Sequence, residues 1–300
     1  MSMNGIILID KPTGLTSHDV VAKIRKLYRL KKVGHTGTLD PHVTGVLPIC
    51  LGQATRISEY LLHQNKTYIG EVTFGFSTTT QDKWGEIINE LKQVKITPKE
   101  IEEVFSKMEG EIWQTPPMYS AIRIDGKRLH QLAREGKTVH RQPRKALIYR
   151  FQIISMELDQ DHPKVSFEVE CSKGTYIRTL CEDIGTSLGI PAHMSFLRRT
   201  KSGPFTIEEC WSLEEVEEKI NEGEGDKILL PLDQAIKSFP AISVDHEIRK
   251  CVLNGQPITL TSPMEKDQRI RIYDRNHDFL AIYRVADWQS AIAEKVFHLG

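Results

Sequence analysis

Apolar positions along the chain recur with two periods, and the switches between them mark out elements. Residues 4–11 form a short apolar run suited to a buried strand, ended by Lys11-Pro-Thr-Gly14. Behind a cap at Thr16 or Ser17, apolar residues fall at Val20, Val21, Ile24, Leu27 and Tyr28 with helical spacing. Lys23, Arg25, Lys26 and Arg29 take the opposite face of that helix. Residues 33–48 read as a loop and 52–62 as helical. From 67 to 76 the period is two, with Tyr68, Gly70, Val72, Phe74 and Phe76 on one side and Ile69, Glu71 and Thr73 on the other, the pattern of a half-buried strand.

Thr97-Pro-Lys-Glu100 is a capping box with proline at the first helical position, and Ile101, Val104, Phe105 and Met108 form the buried stripe that follows. A basic segment, 123–144, contains a short helix at 128–135 stopped by Gly136. Val165, Phe167, Val169 and Cys171 alternate as a strand. It runs through Ser172-Lys-Gly-Thr175 into a helix with Ile177, Leu180, Ile184 and Leu188 inward, ended by Gly189. A further capped helix spans 212–220, and 222–225 is a glycine-rich turn or linker. After about 240 the texture changes. Residues 268–273 and 279–288 read as paired strands around 274–278, with a turn at 254–257, which suggests a small β-barrel-like appendage. Strands and helices mix without strict βαβ alternation, so the class is α+β.

The 300 residues suffice for a large domain with a small one attached. Forty Lys and Arg balance forty Asp and Glu, so the total charge gives no hint of nucleic acid. The distribution does. Residues 120–150 carry nine basic side chains (Arg123, Lys127, Arg128, Arg134, Lys137, Arg141, Arg144, Lys145, Arg150) against Asp125 and Glu135, whereas 207–226 carry nine acids against Lys219. Such sorting fits one basic and one acidic face, or simply two solvated segments. No run of about 18 apolar residues occurs, so no membrane span is expected. The N-terminus lacks the charge and apolar pattern of a signal peptide. Five scattered cysteines without a CxxC argue against a disulfide framework or a zinc site and for a reduced, cytoplasmic setting.

The stretch VGHTGTLDPHVTGVLP, residues 33–48, surrounds a single carboxylate, Asp40, with small side chains. It is neither a Walker loop nor GxGxxG. His35, Asp40 and His42 do not match a metal-binding spacing, and no third histidine is near. A tight loop needing glycine is the simplest account. The chemical alternative is a slot that lets a flat ligand approach the backbone and Asp40. A lone acid is ill-suited to paired-carboxylate chemistry but serves as a nucleophile if it stays ionised, which calls for a nearby cation such as arginine.

Four strings together carry a resemblance: Asp10-Lys-Pro-Thr-Gly-Leu-Thr-Ser17; Gly34-His-Thr-Gly-Thr-Leu-Asp-Pro41 with Thr44-Gly-Val-Leu-Pro48; Lys66-Thr-Tyr68; and Lys173-Gly-Thr-Tyr-Ile-Arg178. In order and spacing they resemble the bacterial tRNA pseudouridine-55 synthases across nearly the whole chain. Val43 stands where that family commonly has alanine. The resemblance implies a mixed, mainly antiparallel sheet with flanking helices and loops as the catalytic domain, 1–238, with a basic RNA-clamping insertion at about 120–150. A PUA-type RNA-binding domain would follow at 239–300. It implies isomerisation of uridine 55 in the T loop of tRNA, with no cofactor, no metal and no protein partner, by a monomer.

By the same resemblance Asp40 is the nucleophile, Arg178 the cation that keeps it charged, and Tyr68 the ring that stacks on the target base. Tyr176 is expected in the substrate pocket, Leu197 as the apolar wall under the base, His35 as the histidine that stacks within the T loop and helps hold the base out, and Asp82 in support. Lys11 and Pro12 are expected to brace the loop. The rival readings are a tRNA-binding or RNA-folding protein in which catalysis is secondary, and a metal hydrolase using His35, Asp40 and His42.

Overall fold

The computed structural model describes residues 3–120, 122–124 and 126–298. Asp125, one of the two acids set against the basic segment, lies outside them. The described chain divides into two compact units, one of residues up to 41, 47–62 and from 208 onward, the other of residues 42–46 and 63–207. Both combine sheet and helix, as an α+β reading requires.

In the second unit the strands Ala192–Ser202, Lys66–Phe74, Lys164–Cys171, Arg144–Glu157 and Gly110–Gln114 lie side by side, each antiparallel to the next. Thr44 and Gly45 run parallel against Arg198 and Arg199 beyond the first of them. The helices Pro98–Lys107 and Ile177–Leu188 pack on this sheet and on each other. Their apolar stripes meet the alternating residues of the central strands, so Val72, Phe74, Val165, Phe167 and Val169 are all buried. Phe105 stacks on Phe151 at 4.4 Å between centroids, and Phe151 meets Phe167 edge-on at 5.1 Å. Offset and edge-on pairs of this kind add to the area that the rings bury. The first helix starts at the Thr97 capping box, as its sequence predicts; the second ends at Gly189, whose φ of +70° is the left-handed conformation that closes a helix.

In the first unit the strand Gly5–Lys11 is covered on both faces, which is why Ile6, Ile7, Leu8 and Ile9 are all apolar. Trp211 ties to it, donating to the Leu8 carbonyl and accepting from the Asp10 amide, both at 2.9 Å. The helix Ser17–Leu27 opens with a reciprocal capping box between Thr16 and Asp19. Toward the C-terminus, five strands lie in the order Ala241–Ser243, Arg269–Tyr273, Phe279–Asp287, Ser290–Val296, Ile258–Thr259. Val252, from the helix His246–Leu253, joins Ile270, Ile272, Tyr283 and Val285 in their core. The connection expected at 274–278 is held by the Asp274 carboxylate, which accepts from the amides of Asn276 and Asp278 at 2.9 and 3.0 Å and from Arg249 at 2.9 Å.

Three local expectations are corrected. Residues 33–48 are not one loop: Val33–His35 and Thr44–Leu51 are strands, paired antiparallel from Val33 opposite Leu51 to His35 opposite Ile49. The second of these is apolar and buried along most of its length, but glycine and proline hide its strand character. Phe76 does not continue the strand Lys66–Phe74. Gly75, at φ +111°, breaks it, and Phe76 opens a hairpin with Ile87–Glu90. Residues 52–57 wind as a 3₁₀ turn before the short α-helix Ser58–Leu62.

Candidate active site

Asp40 sits in the first unit with both of its chain neighbours tied down. On one side the Leu39 amide donates to the Ser17 hydroxyl at 2.9 Å, and that hydroxyl returns a bond to the Leu39 carbonyl at 3.2 Å. On the other, the Pro41 carbonyl accepts from the Gly14 amide at 2.9 Å and from the Lys11 ammonium at 3.0 Å. Lys11 has 0% exposure, and its ammonium also reaches the carbonyls of Pro12 at 2.8 Å and Leu15 at 2.6 Å. An ammonium has three N–H donors, and a buried one must direct them at acceptors. The Asp10–Ser17 string therefore acts as a bracket around the Asp40 turn, and the half-buried Asp40 is carried on backbone that cannot readily shift. His35, also half-buried, accepts the Gly37 amide on Nδ1 at 3.3 Å and meets His18 edge-on at 5.4 Å.

The other five candidates belong to the second unit. Arg178 lies in the first turn of the helix Ile177–Leu188 and is buried. Its guanidinium donates to the carbonyls of Thr80 at 3.0 Å and Tyr119 at 2.8 Å and stands 3.9 Å from the Asp82 carboxylate. Tyr176, the residue that starts this helix, has no side-chain cap. Instead the Gln114 amide grips its backbone twice, accepting from Tyr176 N–H at 3.0 Å and donating to its carbonyl at 3.1 Å.

Asp82 closes a small turn. Its Oδ1 accepts from the Thr80 hydroxyl at 2.5 Å and from the Trp84 amide at 3.1 Å, and its carbonyl accepts from Thr78 at 2.6 Å. Just before it, Gln81 holds a left-handed φ of +63°, an uncommon state for a residue with a side chain. Its amide group is held by Thr179 at 2.9 Å and by Glu182, both on the Arg178 helix. The Arg178–Asp82 proximity is thus built by one helix face gripping one strained turn.

Tyr68 is opposite Val169 on one neighbouring strand and Arg199 on the other. Two residues on, Gly70 is opposite Phe167 and Leu197, so Leu197 shares a sheet face with Tyr68. A Cβ at Gly70 would stand 2.6 Å from the Phe167 ring and 3.2 Å from Leu197. The glycine lets those two side chains close over the strand beside the half-buried Tyr68. Lys66, on the same face, is buried, and loss of solvent pushes its ammonium down to about 8, with Arg199 adding repulsion.

Sequence reasoning missed Ser17 and Gln114, whose partners are 22 and 62 residues away, and Gln81, whose backbone strain leaves no local signal. The expected basic segment is partly neutralised: Glu135 pairs with Lys127 at 3.5 Å and Lys137 at 2.9 Å, and Glu111 with Lys145 at 2.5 Å. A cleft of about 1750 Å³ in the first unit, lined by Lys23, Tyr28, Glu217, Asp226 and Tyr273 among others, holds none of the seven candidates.

The chain is similar to known proteins. Residues 25–177 match the family model of the TruB family pseudouridylate synthase (N terminal domain), and 178–237 that of the tRNA pseudouridylate synthase B C-terminal domain. The chain is 46% identical to the tRNA pseudouridine synthase B of Bacillus cereus over 289 residues, covering 94% of this chain and 92% of that protein. It is equally 46% identical to the one from Halalkalibacterium halodurans over 287 residues, covering 95% and 93%. Among solved structures, a chain of a Cbf5-Nop10-Gar1 complex matches with a TM-score of 0.77 at 29% identity, over 99% of this chain and 85% of that one. A chain from an H/ACA RNP bound to a substrate RNA containing 2′-deoxyuridine matches at 0.75 and 27%, over 98% and 85%.

Proposed function

The chain belongs to the TruB family of pseudouridylate synthases, and from that premise we propose that it converts uridine 55 in the T loop of tRNA to pseudouridine, with Asp40 as nucleophile. The observation that carries the reading is the bracket of Lys11, Gly14 and Ser17 around Asp40. A nucleophile is effective when its geometry is set in advance, and here both flanking peptide groups are held by partners from one motif.

The reaction breaks the N1–C1′ bond and forms a C5–C1′ bond. One proton leaves C5 and one arrives at N1, so the change is an isomerisation that needs no oxidant. The uridine must leave its stack at a cost of a few kcal/mol, which contacts in the pocket have to offset. In this reading Tyr68 stacks on the base and Leu197 walls it from below. Tyr176 lines the pocket, and His35 stacks within the T loop and helps hold the base out. Arg178 supplies the positive charge that keeps Asp40 ionised, and Asp82 orients that guanidinium. Residues 1–238 form the catalytic domain and 239–300 a PUA-type RNA-binding domain, in a cytoplasmic monomer. The segment at about 120–150 closes over the T arm through phosphate contacts, which position the RNA without reading its sequence.

A site-resolved pseudouridine map of tRNA treated with the purified protein tests this. Product at position 55 is expected from the wild type and none from Asp40→Asn, with T-arm binding retained by the variant. Binding without product from the wild type would leave an RNA-binding protein and sink the enzymatic reading.

A further inference from the structure

An exposed aromatic stack lies beside the candidate residues and has no part in the chemistry so far assigned. The His42 imidazole and the Trp84 indole lie 4.1 Å apart between centroids, with planes 10° from parallel. Both are solvent-facing: Trp84 is 44% exposed, and His42 is exposed as well. Lys83 places its ammonium 4.8 Å from the indole centroid.

Each ring covers one face of the other, and the Lys83 ammonium stands over the indole. The stack is not a core contact that happens to reach the surface. Trp84 is fixed through its backbone, whose amide bonds to Asp82 Oδ1 at 3.1 Å, and Lys83 through its amide to the Met194 carbonyl at 3.1 Å. His42 follows Asp40 by two residues in the chain, and Trp84 follows Asp82 by two.

An exposed pair of stacked rings with an ammonium beside it is the chemistry that receives an unpaired nucleotide, the base stacking on a ring in the place of the flexible lysine and the phosphate meeting its cation. We infer that the His42–Trp84 stack, with Lys83, is a docking platform for an unpaired nucleotide of the substrate RNA that neighbours the extruded uridine. This rests on the proposed pseudouridine synthase activity and adds to it a contact outside the base pocket.

The test measures T-arm stem-loop affinity and pseudouridine turnover side by side for wild type, Trp84→Ala, His42→Ala, the two alanine changes combined, Trp84→Phe and Lys83→Ala. Trp84→Ala and His42→Ala should each raise Kd about tenfold, the scale of one lost base–aromatic stack. The double alanine variant should be little worse than either single one, because the rings act as a unit. Trp84→Phe should recover most of the affinity, since phenylalanine also offers a ring face. Lys83→Ala should lower the slope of log Kd against log salt by about one phosphate contact. Indole fluorescence that is quenched by RNA in the wild type should lose that response in Trp84→Phe.

Alanine variants that bind within about twofold of wild type, or a Trp84→Ala loss that phenylalanine does not rescue, would overturn the platform. In the second case the stack would be a brace between loops. The two proposals fail separately. A wild type that makes no product on the same RNA removes the enzymatic reading, whereas normal product with unchanged affinities removes only the platform.

Discussion

Gly45 offers the sharpest test of how the strand that follows the Asp40 turn is held. It lies at φ +107°, opposite Arg199 in the parallel pair. A Cβ there would come within 2.1 Å of the Arg199 carbonyl oxygen and 2.8 Å of its carbonyl carbon and nitrogen. Those are backbone atoms, so no rotamer change relieves the contact. In Gly45→Ala the strand must retreat by about 1 Å to reach ordinary van der Waals separation. The bond from Arg199 Nε to the Val46 carbonyl, now 2.7 Å, would then fall outside hydrogen-bond range.

The backbone conformation costs about 1–2 kcal/mol for a residue with a side chain, and the lost bond to a buried guanidinium about 1.5–3 kcal/mol. Together they predict a destabilisation of about 3–5 kcal/mol, a large part of the 5–15 kcal/mol typical of folded domains. Gly110→Ala is the control. Its φ is +91°, but nothing lies within 4 Å of the added carbon, so only the conformational part applies, about 1–2 kcal/mol. Urea denaturation measures both variants, and hydrogen exchange at residues 44–46 and 198–200 shows whether the parallel pair has opened. Equal losses in the two variants, with exchange at 44–46 unchanged, would refute the steric account. Turnover should fall in Gly45→Ala as well, because Asp40 lies five residues earlier on the same run.

Three further outcomes follow from the site. Lys11→Met should cost about 1.5–3 kcal/mol in urea, because three partly buried carbonyls lose a charged donor; it should also lower kcat with little change in RNA affinity, and a wild-type kcat would dissociate the bracket from catalysis. Arg178→Met should reduce turnover far more than T-arm affinity, whereas equal losses in single-turnover and binding assays would make Arg178 a phosphate contact. Lys66 has a folded pKa lowered to about 8 from 10.5, so the unfolded chain binds more protons between those values, and this residue's contribution to stability rises with pH across that window. Relative to Lys66→Met, the wild type should gain up to about 3 kcal/mol between pH 8 and 10.5, and parallel stability curves for the two proteins would contradict the assigned burial cost.

Local signals in the chain were strong where a structure is decided within a few residues. The capping boxes at Thr16, Thr97 and Ser212 each join a side chain to an amide three residues on, and all three helices begin there. Alternation marked Lys164–Cys171 and the apolar side of Lys66–Phe74. The strand Ala192–Ser202 was hidden, because it buries His193, Ser195, Arg199 and Ser202 among its apolar residues and so shows no clean period. The strand Arg144–Glu157 was masked by the charge at its start.

The sequence by itself determined which residues cap, which face alternates, and which four strings mark the family. Only the tertiary structure decided what those strings hold. Ser17 meets Leu39 across 22 residues, Lys11 meets Pro41 across 30, and Gln114 meets Tyr176 across 62. Each of these bonds joins a side chain to a backbone group on a distant segment. Backbone carbonyls and amides are the same at every position, so no residue type announces which of them will be met. That choice is made when the chain closes on itself and buried polar groups must find partners.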